Sequence, residues 1–295
     1  MNRFDIPPKN SHKKNNTVFN FPPLSVFLPL LTYYTPMKKF TVIAGPCVVE
    51  SNEMLNEVCA HVAPICAELG FDYVFKSSYR KANRTSGSSF TGIGDELALS
   101  YLAGIRTAFG VPVLTDVHTA EEAIAAAAYV DVLQIPAFLC RQTDILQAAG
   151  STGKIVNIKK GQFLAPGDMK KAAEKVRATG NPNIWLTERG TTFGYHDLVV
   201  DYRGLVIMRE SGYPVIYDAT HSVQQPGGGE QSGGQPRFIR ALARAAVAVG
   251  IDGLFIETHP NPTAAKSDAA TQLPLHEIGN FLEEIARLHA VIPQY

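Results

Sequence analysis

Residues 112–160 read PVLTDVHTAEEAIAAAAYVDVLQIPAFLCRQTDILQAAGSTGKIVNIKK, and this stretch decides the fold of the chain. It contains three short runs rich in β-branched residues, PVLTDV at 112–117, VLQIP at 132–136 and IVNIKK at 155–160. None of them alternates between apolar and polar residues as a half-exposed strand would, so the pattern predicts parallel strands buried on both faces. Apolar residues spaced three and four apart at 119–129 predict a helix between the first two strands.

The same order of strand and helix continues in both directions from this stretch. Further strand candidates are FTVIAG at 40–45, YVFKS at 73–77, IWLTE at 184–188, PVIYDA at 214–219 and GLFIET at 253–258. Helical spacing recurs at 52–69, 96–108, 168–179, 236–249 and 275–289. Eight strands alternating with helices over about 250 residues predict an α/β fold, the (β/α)8 or TIM barrel. A doubly wound open sheet is the alternative, but no GxGxxG motif follows the first strand and nothing marks a second domain.

The composition excludes several classes of protein. The chain has 295 residues, of which 45% are hydrophobic, so it can bury a large core and is neither disordered nor fibrous. Lys and Arg total 27, as do Asp and Glu, and this balance gives no global electrostatic reason to expect a nucleic acid or an anionic membrane as partner. The four cysteines are scattered and form no CxxC pair, which favours free thiols in a reducing cytoplasm.

The first 36 residues differ from the rest. Residues 1–36 are rich in proline and combine a polar basic run with the apolar patch VFLPLL, which Pro29 interrupts. A secretory signal is disfavoured because of that proline and because no small-residue cleavage site follows. We predict that residues 1–36 form a disordered extension without a transmembrane span. In one interpretation the extension is translated from upstream of a true start at Met37. We predict a single catalytic barrel domain over 37–295.

Polar residues lie at or just after the end of every predicted strand, which is where a TIM barrel places its active site. In strand order they are Cys47; Lys76; Asp116 and His118; Gln134; Lys159 and Lys160; Glu188 and Arg189; Asp218 and His221; and Glu257 and His259. Random scatter would not place polar residues at each strand end and leave the strand interiors apolar. The pattern therefore predicts an active site at this end of the barrel.

One group of these residues has the composition of a metal site. Cys47, His221 and Glu257 follow strands one, seven and eight, which are neighbours when a barrel closes, and Asp268 lies in the loop after strand eight. A mixed sulfur, nitrogen and oxygen set suits Zn, Fe, Mn or Co better than Mg or Ca. Each residue alone has an ordinary structural explanation, but their placement on adjacent strand ends favours a divalent metal ion.

A second group is cationic. The loop KSSYRKANRTS at 76–86 is rich in hydroxyl and amide donors, and its cations are Lys76, Arg80, Lys81 and Arg84. We expect Lys159, Lys160 and Arg189 to face the same end of the barrel and to bind an anionic ligand, such as a phosphate, with this loop. A solvated basic loop is the alternative, but a chain of zero net charge that concentrates cations at one end of its barrel disfavours it.

The glycine-rich segment PGGGEQSGG at 226–234 follows His221 and is too polar to belong to the core. A loop of this kind after a barrel strand can fold over a ligand and exclude water. A plain connector explains the composition equally well, and both interpretations stay open.

Eight motifs between residues 43 and 275 together resemble those of 3-deoxy-D-manno-octulosonate 8-phosphate synthases. They are IAGPCVVES, KSSYRKANRTS, QIPAFLCRQTD, VNIKKGQFLAP, TERGTTFGY, YDATHSVQQPGG, ETHPNP and SDAATQLPL. The resemblance covers essentially all of 38–290. It implies condensation of phosphoenolpyruvate with D-arabinose 5-phosphate and water, with release of phosphate, for the Kdo sugar of lipopolysaccharide. It also implies a homotetramer in a Gram-negative type of cytoplasm.

The resemblance also ranks the alternatives within and beyond this family. Heptulosonate synthases, which use erythrose 4-phosphate, typically carry KPRT where this chain has KANRTS at 81–86, and the serine common at Thr85 in the octulosonate family is replaced here by threonine. Metal-independent members resemble this sequence but have asparagine at Cys47 and often proline at Gly161, so this chain resembles the metal-requiring class. A non-catalytic phosphosugar-binding barrel is the alternative outside enzymes, and the complete donor set disfavours it.

The family pattern assigns roles to individual residues. Phosphoenolpyruvate is expected to bind Lys76, Lys159 and Arg189. Arabinose 5-phosphate is expected to bind Lys81, Asn83, Arg84 and Thr85, with Arg84 and Thr85 reaching its phosphate from a neighbouring subunit. Additional substrate contacts are expected from Asp116, Gln134 and Gln162, with Phe138 shaping the pocket wall. The residues expected to act in catalysis are Lys76, Lys81, Lys159, His221 and Asp268, and the expected metal ligands are Cys47, His221, Glu257 and Asp268.

Overall fold

The computed structural model describes residues 39–82, 89–226 and 233–292. Predictions that lie outside these ranges concern the extension at 1–36, the residues Asn83, Arg84 and Thr85, and most of the glycine-rich segment. The domain boundary at residue 37 therefore stays a prediction.

Eight parallel strands within the described ranges close into a barrel. Each strand pairs with the next, and the last pairs with the first in a register that places Thr41 opposite Gly253 and Gly45 opposite Glu257. The strands are β1 (Thr41–Gly45), β2 (Asp72–Lys76), β3 (Val113–Asp116), β4 (Val132–Ile135), β5 (Ile155–Lys159), β6 (Ile184–Glu188), β7 (Val215–Asp218) and β8 (Gly253–His259). The closed ring confirms the predicted TIM barrel, and the open-sheet alternative is wrong.

An α-helix follows each barrel strand and packs on the outside of the sheet. The helices are α1 (Asn52–Glu68), α2 (Asp95–Phe109), α3 (Ala120–Ala126), α4 (Thr143–Ser151), α5 (Met169–Arg177), α6 (Arg203–Arg209), α7 (Ile239–Val249) and α8 (Ile278–His289). Six of them match the predicted helical stretches. Short 3-10 turns at Pro236–Phe238 and Leu275–Glu277 explain why two predictions began early. No helix in the described ranges is long and apolar enough to cross a membrane.

Helix α1 illustrates how the local sequence sets these elements. The Ser51 hydroxyl accepts a hydrogen bond from the Met54 amide at 3.2 Å and caps the helix. The residues that it buries recur at spacings of three and four and are Leu55, Val58, Cys59, Val62 and Cys66. The helix ends before Gly70, whose φ of +74° a residue with a Cβ rarely adopts.

Two apolar regions surround the barrel wall. The larger lies between the strands and the helices, while a smaller one fills the barrel interior. The interior layer consists of Ile43, Val74, Leu114, Val132, Ile216 and Phe255, one residue from each of six strands, with Ile155 and Trp185 packed against it. Because side chains alternate along a strand, the residues two positions further on also face the interior. The interior layer thus supports whatever lies at the carboxyl ends of the strands.

Candidate active site

The layer directly above the apolar interior is polar and buried. Its members lie two residues beyond an interior apolar residue on their strand and are Lys76, Asp116, Gln134, Asp218 and Glu257, all less than 10% exposed. Five strands therefore deliver ionisable or amide side chains to one buried space at the carboxyl end of the barrel.

The four predicted metal ligands come together in this space. Cys47 Sγ lies 3.0 Å from Asp268 Oδ2, and the donor atoms of Cys47, Glu257 and Asp268 all lie within 4.8 Å of one another. His221 Nε2 lies 3.7 Å from a carboxylate oxygen of Glu257 and 3.7 Å from one of Asp268. Strand β8 and the loops after β1, β7 and β8 thus place one thiol, one imidazole and two carboxylates around a common point.

The donors fit a metal ion on three observations. Glu257 Oε2 is buried and has no hydrogen-bond partner in the part of the chain that the structure describes. His221 Nδ1 lies 2.8 Å from Asp218 Oδ2, which leaves Nε2 facing the other donors, in the manner of a metal-binding histidine oriented by a carboxylate. The mixed thiol, imidazole and carboxylate set matches the ligands of Zn and related ions. The sequence identified Asp218 only as a strand-end residue and not as the partner that orients His221.

Burial and neighbouring charges set the protonation of these donors. Burial, reinforced by Asp268 and Glu257, raises the pKa of the Cys47 thiol well above its usual value. Burial alone would also raise the pKa of Asp268, but the neighbouring His221 outweighs it and holds that pKa well below its usual range. Asp268 has a backbone φ of +48°, which aspartate tolerates better than most residues. The Cys47 thiol must therefore lose its proton to solvent or to a base when a metal ion binds the sulfur.

Residues of the loop after β8 hold Cys47 across the seam where the barrel closes. Its backbone amide donates to Gln272 Oε1 at 3.2 Å, and Gln272 Nε2 donates to the Ser267 carbonyl at 2.8 Å. The Ser267 hydroxyl also lies 3.0 Å from Cys47 Sγ. The role of Gln272 was not predicted, although it belongs to the motif SDAATQLPL. These contacts tie the loop after β1 to the loop after β8.

Three of the predicted cations converge beside the donors. Lys76 pairs with Glu257 and donates to the Cys47 carbonyl at 3.0 Å, while Lys159 Nζ lies 2.7 Å from Asp218 Oδ2. Arg189 Nη2 donates to Gln224 Oε1 at 3.0 Å, but its buried Nη1 has no partner among the described residues. Burial lowers the pKa of both Lys159 and Arg189. A buried guanidinium with an N–H group that is unpaired among the described residues is suited to an anion.

Lys160 does not join this cluster, contrary to the expectation. It is fully buried, donates to Thr191 Oγ1 at 3.0 Å and lies 3.4 Å from Glu188 Oε1. Lys160 and Glu188 continue the series of every second residue, Val156 and Ile158 in β5 and Ile184 and Leu186 in β6, whose side chains face the helices and not the barrel interior. This pair fastens the loop after β5 to the loop after β6.

Asp116 connects the interior of the barrel to the loop after β2. It accepts hydrogen bonds from Ser78 and Gln134, and Lys81 Nζ lies 3.8 Å from its Oδ2. Asn157 donates to Gln134 Oε1 at 2.9 Å and itself accepts from Thr187. Although burial opposes ionisation, Lys81 and the other nearby lysines hold the pKa of Asp116 well below its usual range. Asp116 is therefore a carboxylate that faces Lys81.

The remaining predicted residues lie at different depths. Gln162 is buried, and its Oε1 has no hydrogen-bond partner within the described ranges. Phe138 is 55% exposed in the short turn Ala137–Leu139 and lies on the rim after β4. His259 lies away from the donors, with Nε2 3.6 Å from Glu50 Oε1.

A cavity of about 420 Å³ opens at the other end of the barrel. Strand-start residues such as Thr41, Asp72 and Trp185 line it, together with apolar side chains from the neighbouring helices and loops. Among the described residues its lining contains no lysine or arginine, so it suits an anionic substrate poorly. The buried cations at the carboxyl ends of the strands suit such a substrate better.

The fold and the site together define a class: a TIM-barrel enzyme that binds anionic substrates beside a thiol, imidazole and carboxylate donor set. Within that class the chain belongs to the DAHP synthetase I family, whose model matches residues 37–292. It is similar to proteins named 2-dehydro-3-deoxyphosphooctonate aldolase. The one from Azoarcus sp. (strain BH72) is 55% identical over 258 residues, 86% of this chain and 92% of that protein. The one from Methylobacterium radiotolerans is 58% identical over 248 residues, 83% of this chain and 87% of that protein.

Proposed function

We propose that this protein is a 3-deoxy-8-phosphooctulonate synthase. It condenses phosphoenolpyruvate with D-arabinose 5-phosphate and water, and it releases inorganic phosphate and 3-deoxy-D-manno-octulosonate 8-phosphate for the Kdo sugar of lipopolysaccharide. The observation that carries this proposal is the convergence of buried Lys76, Lys159 and Arg189 beside the donor set. Relatives named 2-dehydro-3-deoxyphosphooctonate aldolase, 54–58% identical to this chain, support the choice of reaction within the family.

The buried cations account for recognition of phosphoenolpyruvate, which carries a phosphate and a carboxylate. Lys76, Lys159 and Arg189 neutralise these groups in a water-poor interior, where charge-assisted hydrogen bonds are strong. Nη1 of Arg189, which has no partner among the described residues, offers one such hydrogen bond. Fixing both anionic groups leaves C3 of the enol facing the aldehyde, and this positioning supplies much of the rate.

The loop after β2 is proposed to bind arabinose 5-phosphate. Lys81, which faces Asp116, is suited to hold the sugar next to phosphoenolpyruvate, and Asn83, Arg84 and Thr85 follow it in the chain. Arg84 and Thr85 are proposed to reach the sugar phosphate from a neighbouring subunit of a homotetramer. Further substrate contacts are proposed for Asp116, Gln134 and Gln162, with Phe138 at the wall of the pocket.

The chemical steps follow from the charges of the substrates. C3 of phosphoenolpyruvate attacks the aldehyde carbon, positive charge develops at C2, water adds there, and the hemiketal phosphate collapses with cleavage of its C–O bond. Lys76, Lys159 and Arg189 stabilise the negative charge that stays on the departing phosphate. Asp218 keeps His221 Nδ1 hydrogen-bonded, so only Nε2 faces the reacting groups.

The protein is also proposed to belong to the metal-requiring class and to act in the cytoplasm. Cys47, His221, Glu257 and Asp268 would hold a Zn, Fe, Mn or Co ion. The buried Glu257 Oε2, which lacks a hydrogen-bond partner in the described part of the chain, supports this proposal. When bound, the ion supplies Lewis acidity that orients the aldehyde or activates water. The assignment to this class follows from Cys47 and Gly161, because the metal-independent enzymes that the chain resembles carry asparagine and often proline at these two positions.

The deciding experiment measures phosphate release from phosphoenolpyruvate with arabinose 5-phosphate or erythrose 4-phosphate, with and without a chelator. We expect phosphate release with arabinose 5-phosphate but not with erythrose 4-phosphate. This activity should be lost when the chelator removes the metal and should return when Zn, Fe, Mn or Co is added. Metal content is measured in each sample. Turnover with the four-carbon sugar alone would identify a heptulosonate synthase, and no release with any aldose or metal would favour a non-catalytic barrel. Full activity after verified metal loss would remove the metal from the proposal.

A further inference from the structure

The carboxylate of Glu122 contacts four donor groups. Glu122 lies in the first turn of α3 with 12% of its side chain exposed. Its Oε2 accepts from the Tyr79 hydroxyl at 2.5 Å and from the backbone amide and ring Nδ1 of His118, each at 2.9 Å. Its Oε1 pairs with the Arg80 guanidinium. One side chain on the element after β3 thus receives two side chains from the loop after β2.

These contacts belong to a larger attachment of the loop after β2. The Tyr79 side chain is 2% exposed, and its backbone amide donates to Thr115 Oγ1 on β3 at 3.0 Å. Arg80 also reaches Asp95, the first residue of α2, at 3.1 Å. Glu122 therefore neutralises Arg80 on the inner side of this loop, while Asp95 holds the same guanidinium from the helix that ends the loop.

Lys81 follows Arg80 directly and depends on the same backbone. Its amide donates to the Thr91 carbonyl at 2.8 Å, and its Nζ lies 3.8 Å from Asp116 Oδ2. A rotation of the backbone at Tyr79 or Arg80 would move Nζ away from Asp116. We propose that Glu122 is a positioning residue for the aldose: by holding Tyr79 and Arg80 it keeps Lys81 facing Asp116. This inference rests on the proposed function, because Lys81 is the residue assigned there to arabinose 5-phosphate.

A helix-start carboxylate can also serve only the helix, by interacting with its dipole. Glu121 separates the two roles. It occupies the same first turn of α3 and is exposed, so it carries the same charge in the same dipole without the contacts to Tyr79 and Arg80. Glu121→Gln is therefore a matched control for Glu122→Gln.

The experiment measures kcat, the KM for each substrate and the melting temperature for wild type and both variants. Glu122→Gln is expected to raise the KM for arabinose 5-phosphate about tenfold, because it removes a charge-assisted pair that orients the loop, and to leave the KM for phosphoenolpyruvate within about twofold. Glu121→Gln is expected to leave both KM values unchanged. If Glu122→Gln does not fold, Tyr79→Phe, which removes only one donor, is expected to raise the same KM by a smaller factor.

A double-mutant cycle with Arg80→Met tests whether Glu122 acts through Arg80. The two substitutions should be strongly non-additive in the KM for arabinose 5-phosphate, because either one breaks the same pair. Unchanged KM values in Glu122→Gln, or equal rises in KM for both substrates, would overturn the positioning role. The proposed function would still hold in that case if the wild-type protein turns over arabinose 5-phosphate. Absence of that wild-type turnover would overturn the proposed function and this inference with it.

Discussion

At the residue scale, alternation along the strands decides which strand-end groups enter the site. Lys159 and Lys160 are adjacent in the chain, yet Lys159 faces Asp218 in the barrel interior and Lys160 faces Glu188 behind the wall. The sequence predicts the strand ends correctly, but both lysines were expected to bind the anionic ligand, although alternation along the strand places them on opposite faces of the sheet. Asp218 orients His221 by a local contact three residues along the chain. Glu122 acts instead through Tyr79 and Arg80 of another loop, and a contact of that kind has no signature in a linear motif.

Cys47 provides the prediction at this scale. Cys47→Ala should lose bound metal and reduce turnover at least about a hundredfold. Loss of a residue that only hydrogen-bonds to a metal ligand already lowers metal affinity or activity about 10- to 100-fold. Cys47→Asn should bind the metal more weakly and keep part of the activity, because an amide is a poorer ligand than a thiolate. Metal content after dialysis and kcat are the measurements.

Cys59→Ala is the matched control for these variants, because Cys59 is an equally buried thiol on the core-facing side of α1. It should keep its metal and its turnover. Tight metal binding by Cys47→Asn would show that Cys47 is not a ligand.

At the element scale, the strands were easier to predict than the helices. The strands are buried on both faces and form continuous apolar runs, whereas α6 contains the unbroken run Leu205–Met208. Helix α4 is short and includes Gly150, where a Cβ would lie 2.6 Å from Thr179 Oγ1. Neither helix was among the predicted stretches, although both bury residues at helical spacing. A glycine at a buried position of α4 and the exposed apolar residues Val206 and Ile207 in α6 hide that spacing in the sequence.

Gly45 provides the prediction for an element. A Cβ at this position would lie 2.1 Å from the Lys76 carbonyl oxygen, where β1 and β2 pair. Gly45→Ala should therefore lower the free energy of unfolding by at least about 2 kcal/mol and, by displacing Lys76, raise the KM for phosphoenolpyruvate. Denaturant titration and substrate kinetics measure the two effects.

Gly104→Ala is the control for Gly45→Ala. Gly104 lies in α2 with open space around it, and alanine there should raise the free energy of unfolding by up to about 1 kcal/mol. Equal stability of the two variants would contradict the close approach of β1 and β2.

At the scale of the whole molecule, the two ends of the barrel differ in kind. Cations concentrate at the carboxyl ends of the strands, although the chain as a whole carries no net charge, and the cavity at the other end is largely apolar. Length and the order of the elements were enough to predict this architecture. The sequence could not show how the loops contact one another, because the partners in those contacts are far apart in the chain.

The family match begins at residue 37, and this start provides the prediction for the whole chain. A protein beginning at Met37 should keep its melting temperature and its kcat/KM within about twofold. A protein that also lacks β1 (Thr41–Gly45) should not fold, because the ring then cannot close. Thermal denaturation and phosphate release compare the three proteins, and loss of activity in the protein that begins at Met37 would assign a role to the first 36 residues.

The seam between β1 and β8 joins the earliest and the latest parts of the barrel to be synthesised. Cys47 stands on one side of it, and Glu257 and Asp268 stand on the other. During translation the thiol leaves the ribosome long before either carboxylate, so the nascent chain holds only part of the donor set until almost all of it has been made. The donor set is completed by the same event that closes the barrel, and a prematurely terminated chain cannot assemble it.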